Sequence, residues 1–156
     1  MAVSLREITM ENFRPCLELR VAEDQRGFVA SNVYSLAEAK ADGVSNPLMI
    51  TADDEPVGFI MYDVDREKKR GYVTRLMIDA RFQRRGYGRA AMTQVIDRLK
   101  NEPDLREILT SFHPDNHVAD ALYASLGFRR TGKVDDGEIV VRLGLPDWEP
   151  DPTSIS

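Results

Sequence analysis

The chain has 156 residues, of which 42% are hydrophobic and 30% are charged, so it has enough apolar side chains for the core of one domain. Acidic residues number 26 against 21 basic ones, and the net charge of −5 argues against a general nucleic-acid binder, which neutralises phosphates with clustered Lys and Arg. The same charge is compatible with a cationic partner.

Hydropathy and cysteine content bear on the compartment. No apolar run approaches the roughly 20 residues that span a bilayer, and the N-terminus lacks the basic and apolar segments of a secretory signal. The lone cysteine, Cys16, has no intrachain partner for a disulfide and is expected to be a small core residue. These features predict a cytoplasmic protein that binds neither membranes nor nucleic acids.

The N-terminal third is predicted to form one strand and two helices. The strand is expected over residues 3–8, and four-residue spacing of apolar side chains predicts a helix over residues 11–20. Ser35 and Glu38 have the spacing of a capping box, so the second helix is predicted to begin near Ser35 and to end near Gly43.

Strands dominate the rest of the chain. Turn composition at residues 53–56 and the Asp136-Gly137 step predict two hairpins, and the strand-helix-strand order over residues 72–112 predicts one parallel pair. The sequence therefore predicts an α/β (α+β) fold with a mixed, mostly antiparallel sheet of about seven strands and four helices. The further strands are predicted at 47–52, 57–63, 72–79, 108–112, 129–133 and 139–143, and the further helices at 86–100 and 118–125.

The C-terminus differs in composition from the rest. Residues 145–156 contain three prolines, which exclude a regular helix, so a single domain is expected over residues 1–144, followed by a Pro-rich tail. Trp148 in this tail either anchors it to the domain or stays with it in solvent.

The loop between the strand at 72–79 and the helix at 86–100 combines glycines with arginines. Unpaired amides at a helix N-terminus bind anions, and glycines there let a pyrophosphate approach the backbone. A solvated glycine turn is the alternative interpretation. The residues concerned are Arg84, Arg85, Gly86, Gly88 and Arg89.

Two other nucleotide-binding loops fit this segment poorly. A Walker loop requires a Gly-Lys-Ser/Thr step that is absent here, and the dinucleotide fingerprint requires a third glycine where the chain has Ala91. The dinucleotide loop also follows the first strand of a parallel sheet, whereas the preceding strands here are predicted to be antiparallel.

Two motifs resemble the GCN5-related N-acetyltransferase (GNAT) superfamily. Gln83-Arg84-Arg85-Gly86-Tyr87-Gly88 matches its Gln/Arg-x-x-Gly-x-Gly/Ala signature, and Asn116 with residues 121–128 matches its later Asn…Ala-x-x-Leu-Tyr-x-x-x-Gly-Phe block. The resemblance covers about residues 3–143 and implies a three-layer fold. Within the superfamily, the segments 25–30, 35–39 and 57–62 resemble the bacterial spermine/spermidine acetyltransferases.

The resemblance implies that acetyl-CoA is the co-substrate. In this family the strand before the loop pairs with the pantetheine arm, the loop amides bind the pyrophosphate, and an Asn contacts the arm. Asn116 is equally suited to cap the helix that follows it. The residues implied in cofactor binding are Leu76, Met77, Ile78, Gln83, Arg84, Arg85, Gly86, Tyr87, Gly88, Arg89 and Asn116.

The resemblance also implies a role for Tyr123, which occupies the place of the family tyrosine that protonates the departing CoA thiolate. Tyr123 lies about 100° from the predicted apolar stripe of Val118 and Leu122, although a tyrosine packed in the core is the alternative. The amine is expected to attack the acetyl carbonyl directly. Because Thr74-Arg75 stand where a carboxylate base would be convenient, a water relay is expected, aided by Tyr62 or an acid from the first two helices.

The acceptor is expected to be a small cationic amine, with a polyamine such as spermidine or spermine as the leading hypothesis. Carboxylates along a channel would neutralise its ammonium groups, and the candidates are Glu23, Asp24 and Glu38, with Tyr62 beside them. The alternative acceptors are an antibiotic amine, an amino acid or a protein N-terminus. The alternative function is that of a non-catalytic acyl-CoA-binding sensor. No metal site is predicted, and a homodimer is compatible with the resemblance.

Overall fold

The predicted strands are all present, with small shifts at their ends. A computed structural model describes residues 2–149, and within that range seven strands form one sheet. The strands are β1 (Val3–Glu7), β2 (Asn46–Ala52), β3 (Glu55–Asp65), β4 (Arg70–Ile78), β5 (Glu107–Phe112), β6 (Arg129–Asp135) and β7 (Glu138–Gly144).

Four α-helices accompany the sheet in the described range, as predicted. The first is shorter than expected because the backbone of Leu19 is already extended, with φ −67° and ψ 135°. The helices are α1 (Phe13–Glu18), α2 (Asn32–Asp42), α3 (Tyr87–Lys100) and α4 (His117–Ser125).

The predicted start of α2 is wrong. Ser31, not Ser35, caps this helix, since its Oγ accepts a hydrogen bond from the amide of Tyr34 at 3.1 Å. Ser31 has the extended backbone of a cap (ψ 157°), whereas the amide of Ser35 already bonds to the carbonyl oxygen of Ser31 inside the helix. The capping-box spacing at Ser35 and Glu38 therefore lies within the helix.

The strand order β1-β2-β3-β4-β5-β7-β6 places β4 and β5 side by side at the centre of the sheet. Among the described strands they form the one parallel pair, joined by the crossover through α3, as the sequence predicted. Their pairing ends at Val73 and Thr110, and beyond these residues the two strands separate. This separation opens the sheet at its centre.

Each face of the sheet has its own apolar cluster. On β3, Ile60 packs with α3 and α4 on one face, while Phe59 and Met61 pack with α1 on the other, because side chains alternate along a strand. Cys16 is fully buried in the second cluster, which confirms it as a core residue. The sheet thus lies between two helical layers.

On α4 the predicted apolar stripe is right at Leu122, which packs against the main cluster, and wrong at Val118, which is 73% exposed. Tyr123 is only 5% exposed and packs in the main cluster. The Tyr123 ring lies between Phe112 and Phe128, with centroid distances of 6.0 and 5.7 Å. Helical spacing correctly predicted that α4 has an apolar face, but the sheet residues beneath the helix determine which of its sides is buried.

Of the two alternatives for Trp148, the structure shows an anchor. Its side chain is 5% exposed, and its indole N–H donates to Oδ1 of Asp97 in α3 at 2.8 Å. Residues 150–156 of the predicted tail lie outside the described residues. Within residues 2–149, no helix is long and apolar enough to cross a bilayer.

Candidate active site

The separation of β4 and β5 forms a cleft of about 1050 Å³. Its walls come from β4 apart from Gly71, from residues 110–112 of β5, from the first turn of α3 and from α4. The segment between α1 and α2 and the hairpin between β6 and β7 also line it. Several elements distant in sequence therefore meet around one concave site.

The arginine-glycine loop forms one end of this cleft. Gly86 caps α3 with φ 83°, a left-handed conformation that favours glycine. Gly86 has no side chain that could cap the helix, so the amides of Tyr87 and Gly88 at its start are available to an anion. The side chains of Arg84 and Arg89 also line the cleft here, and Arg89 donates to Ser125 Oγ.

Buried Asp79 holds the start of this loop. Its carboxylate accepts from the side chain of Arg81 at 2.9 Å, from the amide of Arg81 at 3.0 Å, and from the amide of Arg20 at 2.9 Å. Burial raises the pKa of Asp79, but these hydrogen bonds and the charge of Arg81 outweigh it and leave the pKa below its ordinary value. The loop is therefore tied to the end of β4 by an ionised carboxylate.

Gln83 connects the loop to two other parts of the cleft. Its side-chain N–H donates to the carbonyl oxygen of Ile78 at 2.9 Å and to Oε1 of Gln25 at 2.7 Å. Gln25 belongs to the segment between α1 and α2, and Phe28 of the same segment lies against His113 at the end of β5, with ring centroids 5.0 Å apart. This segment thus crosses the mouth of the cleft from the loop to β5.

Most residues implied in cofactor binding lie in the cleft wall. Arg85 is the exception among them, since the described wall leaves it out and its guanidinium lies 5.6 Å from the centre of the Phe82 ring. Asn116 lines the cleft and also caps α4, accepting from the amide of Ala119 at 3.2 Å. The residues that line the cleft are Leu76, Met77, Ile78, Gln83, Arg84, Gly86, Tyr87, Gly88, Arg89 and Asn116.

Tyr123 reaches the cleft from α4 at the level where β4 and β5 separate. Burial raises its pKa to about 12, a hydrogen bond with the Thr110 side chain opposes this shift, and the charge of Glu138 adds to it. Thr110 in turn donates to the carbonyl oxygen of Val73 at 2.9 Å. The phenol therefore lies at the last paired residues of β4 and β5 and is protonated at neutral pH.

The four candidate acceptor residues lie elsewhere. Glu23 and Asp24 are exposed in a short 3-10 turn, and Tyr62 packs against the main cluster. Glu38 forms an ion pair with Arg75, with an N–O distance of 3.3 Å, and Arg75 rather than Glu38 lines the cleft. The part of the wall that the structure describes includes none of the four.

Five other carboxylates line the cleft, and we call them the acidic rim. Burial, followed by the charges of Asp42 and Asp65, raises the pKa of Asp63 within the rim, so a cation beside it would relieve repulsion. From the sequence, no binding role was predicted for the end of β3 or for the β6–β7 turn. Carboxylates at alternate positions of a strand share one face, which was the signal for the pair on β3. The rim consists of Asp63 and Asp65 of β3, and Asp135, Asp136 and Glu138 of the β6–β7 hairpin.

The thiol of Cys16 lies outside the described cleft wall. Burial raises the pKa of Cys16 to about 11, and the residue is 0% exposed, so its thiol is neither ionised nor accessible. Within residues 2–149, no three His, Cys, Asp or Glu side chains are grouped so as to hold a metal ion.

Comparison with known proteins agrees with this geometry. The model of the acetyltransferase (GNAT) family matches residues 3–128. The spermine/spermidine N(1)-acetyltransferase of Bacillus subtilis (strain 168) is 28% identical over 148 residues, covering 90% of this chain and 97% of that protein.

Two solved structures show the same fold at low sequence identity. Mycobacterium smegmatis RimJ in complex with CoA-disulfide superposes with a TM-score of 0.77 at 18% identity, covering 97% of this chain and 86% of that one. The spermidine N-acetyltransferase of Vibrio cholerae in complex with CoA and spermine has a TM-score of 0.73 at 15% identity, covering 92% of this chain and 96% of that one.

Proposed function

This chain belongs to the acetyltransferase (GNAT) family and is an N-acetyltransferase with acetyl-CoA as its co-substrate, and we propose that it acetylates a primary amine of a polyamine such as spermidine or spermine. The family resemblance of residues 83–88 and 116–128 is thereby confirmed. The relative named for spermine and spermidine supports the choice of acceptor.

The observation that carries this proposal is the division of charge within one cleft. The end near α3 presents helix amides and arginines, which suit a phosphorylated ligand, while the carboxylates of the acidic rim elsewhere in the wall suit a ligand with several ammonium groups. A net charge of −5 over the chain leaves the arginine loop as a local exception. The two sets of groups fit acetyl-CoA and a polyamine, respectively.

The donor half fits the residues implied in cofactor binding. Beyond Val73, β4 has no partner among the described residues of β5, so the backbone of Leu76 to Ile78 offers an open edge to the pantetheine arm. The pyrophosphate would lie on the amides of residues 84–89. This arrangement brings the acetyl group to the point where β4 and β5 separate.

The chemistry is direct attack of the amine on the acetyl carbonyl. Tyr123, which remains protonated because its pKa is about 12, supplies a proton to the CoA sulfur as the C–S bond breaks. A covalent acyl-enzyme on Cys16 is not part of this scheme, since that thiol is buried on the other face of the sheet. One proton of the acceptor ammonium must leave before attack.

The experiment is thiol release from acetyl-CoA with a panel of amines. We expect spermidine and spermine to give higher kcat/KM than amino acids or aminoglycosides, and a reversed ranking would overturn the choice of acceptor. Asp63→Asn should raise KM for spermidine about tenfold and KM for a monoamine much less. Exposed Asp104, outside the described cleft wall, provides the matched control Asp104→Asn. Binding of acetyl-CoA without thiol release from any amine would indicate a sensor instead.

A further inference from the structure

Ser111 and Glu138 form a hydrogen-bonded pair at the point where β4 and β5 separate. Ser111 is the first residue of β5 beyond the last pair with β4, and its hydroxyl donates to Oε1 of Glu138 at 2.7 Å. The register places Ser111 opposite Val140 of β7, so Glu138 lies two residues away on the same face of that strand. The carboxylate is half-buried and lines the cleft.

This pair lies across β5 from Tyr123. Thr110 and Ser111 are consecutive in a strand, so their side chains point to opposite faces, Thr110 towards Tyr123 and Ser111 towards Glu138. The charge of Glu138 is close enough to add to the raised pKa of Tyr123. A carboxylate and a phenol therefore flank the same point of β5.

Resting on the proposed function, we propose that Glu138 is the proton acceptor for the attacking amine and that Ser111 is the residue that positions it. Asp63 and Asp65 stand on β3, with β4 between them and the opening, and Asp135 and Asp136 are exposed near the hairpin turn. Glu138 alone among the acidic rim is held at the opening by a hydrogen bond from β5 in the described residues.

The proposal replaces the water relay expected from sequence with a carboxylate from β7. The ammonium gives one proton to the Glu138 carboxylate, and the neutral nitrogen attacks the acetyl carbon. The C–N bond forms, and the C–S bond breaks with its electron pair on sulfur. Tyr123 protonates the sulfur, the second proton lost by nitrogen restores the phenol, and Glu138 releases its proton to solvent.

Other ionisable groups line the cleft and could affect a pH profile. Besides the other four carboxylates of the acidic rim, they are Arg70, Tyr72 and Arg75 of β4, Arg84, Tyr87 and Arg89 at the start of α3, and Tyr123 of α4. The test therefore measures how steeply kcat/KM rises with pH. A change in the electrostatic field of the cleft alone does not produce the expected change in this slope.

Glu138→Gln keeps the size of the side chain and an oxygen for the Ser111 hydroxyl but removes the base. Without a base only the neutral amine reacts, and since an alkyl amine has a pKa of about 10.4, its neutral fraction rises tenfold per pH unit below that value. We expect kcat/KM of the variant to be about 10²- to 10⁴-fold lower at pH 7 and to rise with a slope near one up to pH 9. The wild type should stay nearly level over that range.

Three further measurements make the result decisive. Ser111→Ala should lower kcat by a smaller factor and keep the wild-type slope, as expected of a positioning residue. Glu107→Gln removes a carboxylate of β5 that pairs with Arg142 at 3.5 Å outside the described cleft wall, and should match the wild type. An acceptor amine of lower basicity should partly rescue Glu138→Gln.

The inference is overturned if Glu138→Gln, with unchanged CoA affinity and melting temperature, keeps the wild-type pH profile or loses activity by one factor at every pH. A variant that raises only KM for the acceptor also overturns it, because such a carboxylate binds the ammonium without removing its proton. Failure of the proposed function looks different, since wild-type enzyme would then release no thiol with spermidine or spermine, or would release it faster with amino acids or aminoglycosides.

Discussion

A Cβ atom at Gly58 would lie 2.4 Å from the carbonyl oxygen of Met77, so β3 approaches β4 here as closely as only glycine permits. Met77 belongs to the stretch of β4 that forms the donor half of the cleft. The side chain of Ile78, in register with Gly58, would be 2.8 Å from the same Cβ. The position of this wall thus depends on the absence of a side chain at Gly58 in the neighbouring strand.

Gly58→Ala is expected to displace β4, because the nearest obstacle is backbone. We expect a loss of about 1–3 kcal/mol in the free energy of unfolding, measured by urea denaturation, together with weaker CoA binding. Gly27→Ala is the control for stability, since no atom of the described chain lies within 4 Å of its Cβ, and it should stay within about 0.5 kcal/mol of the wild type. Equal stabilities of the two variants would contradict the close approach.

Tyr123→Phe should retain the fold and lose activity. The phenylalanine ring keeps the contacts with Phe112 and Phe128, so the melting temperature should change little. Loss of the hydroxyl should lower kcat about 10²- to 10⁴-fold under conditions where chemistry limits the rate. A single-turnover rate equal to that of the wild type would show that another group protonates the sulfur.

The low pKa of Asp79 predicts a specific acid sensitivity. Its pKa is depressed in the folded state, so its contribution to stability is present above the unfolded value of about 3.9 and is lost as the pH falls through the folded value. Asp79→Asn should lower the free energy of unfolding by about 1–3 kcal/mol at pH 7. The difference from the wild type should shrink as urea titrations move towards pH 3, and a constant difference would argue against this role.

Trp148→Ala should destabilise the protein by about 3–5 kcal/mol, because it empties a buried site and leaves Asp97 without its indole donor. Trp148→Phe fills most of the site. It should lower the free energy of unfolding by the lost packing plus about 1 kcal/mol for the lost hydrogen bond to Asp97. Circular dichroism during thermal unfolding measures both. KM for acetyl-CoA should not change, since the described cleft wall does not include Trp148, and a large increase would contradict this separation.

Much of the fold can be predicted from residues that are near one another in the sequence. Each strand is a run of five to eleven residues, the Asp136-Gly137 step identifies its hairpin, and the positive φ of residue 86 at the start of α3 favours glycine. The element order, the parallel pair and the glycine-arginine loop at the start of α3 could therefore be predicted from short stretches of chain.

The details that failed depend on distant parts of the chain. The capping-box spacing predicted Ser35 as the cap of α2, whereas Ser31 caps the helix and Ser35 is fully buried inside it. On α4, both Val118 and Tyr123 are apolar enough to face a core, and the aromatic rings of Phe112 and Phe128 selected Tyr123.

The amino-acid sequence by itself determined the order of strands and helices and the loop suited to a phosphorylated ligand, because turn signals and backbone preferences act between neighbouring residues. Only the tertiary structure decided which carboxylates surround the cleft. Asp63 and Glu138 are 75 positions apart in a chain of 156 residues and line one cavity because the sheet order brings β3 and β7 to either side of the separated β4 and β5.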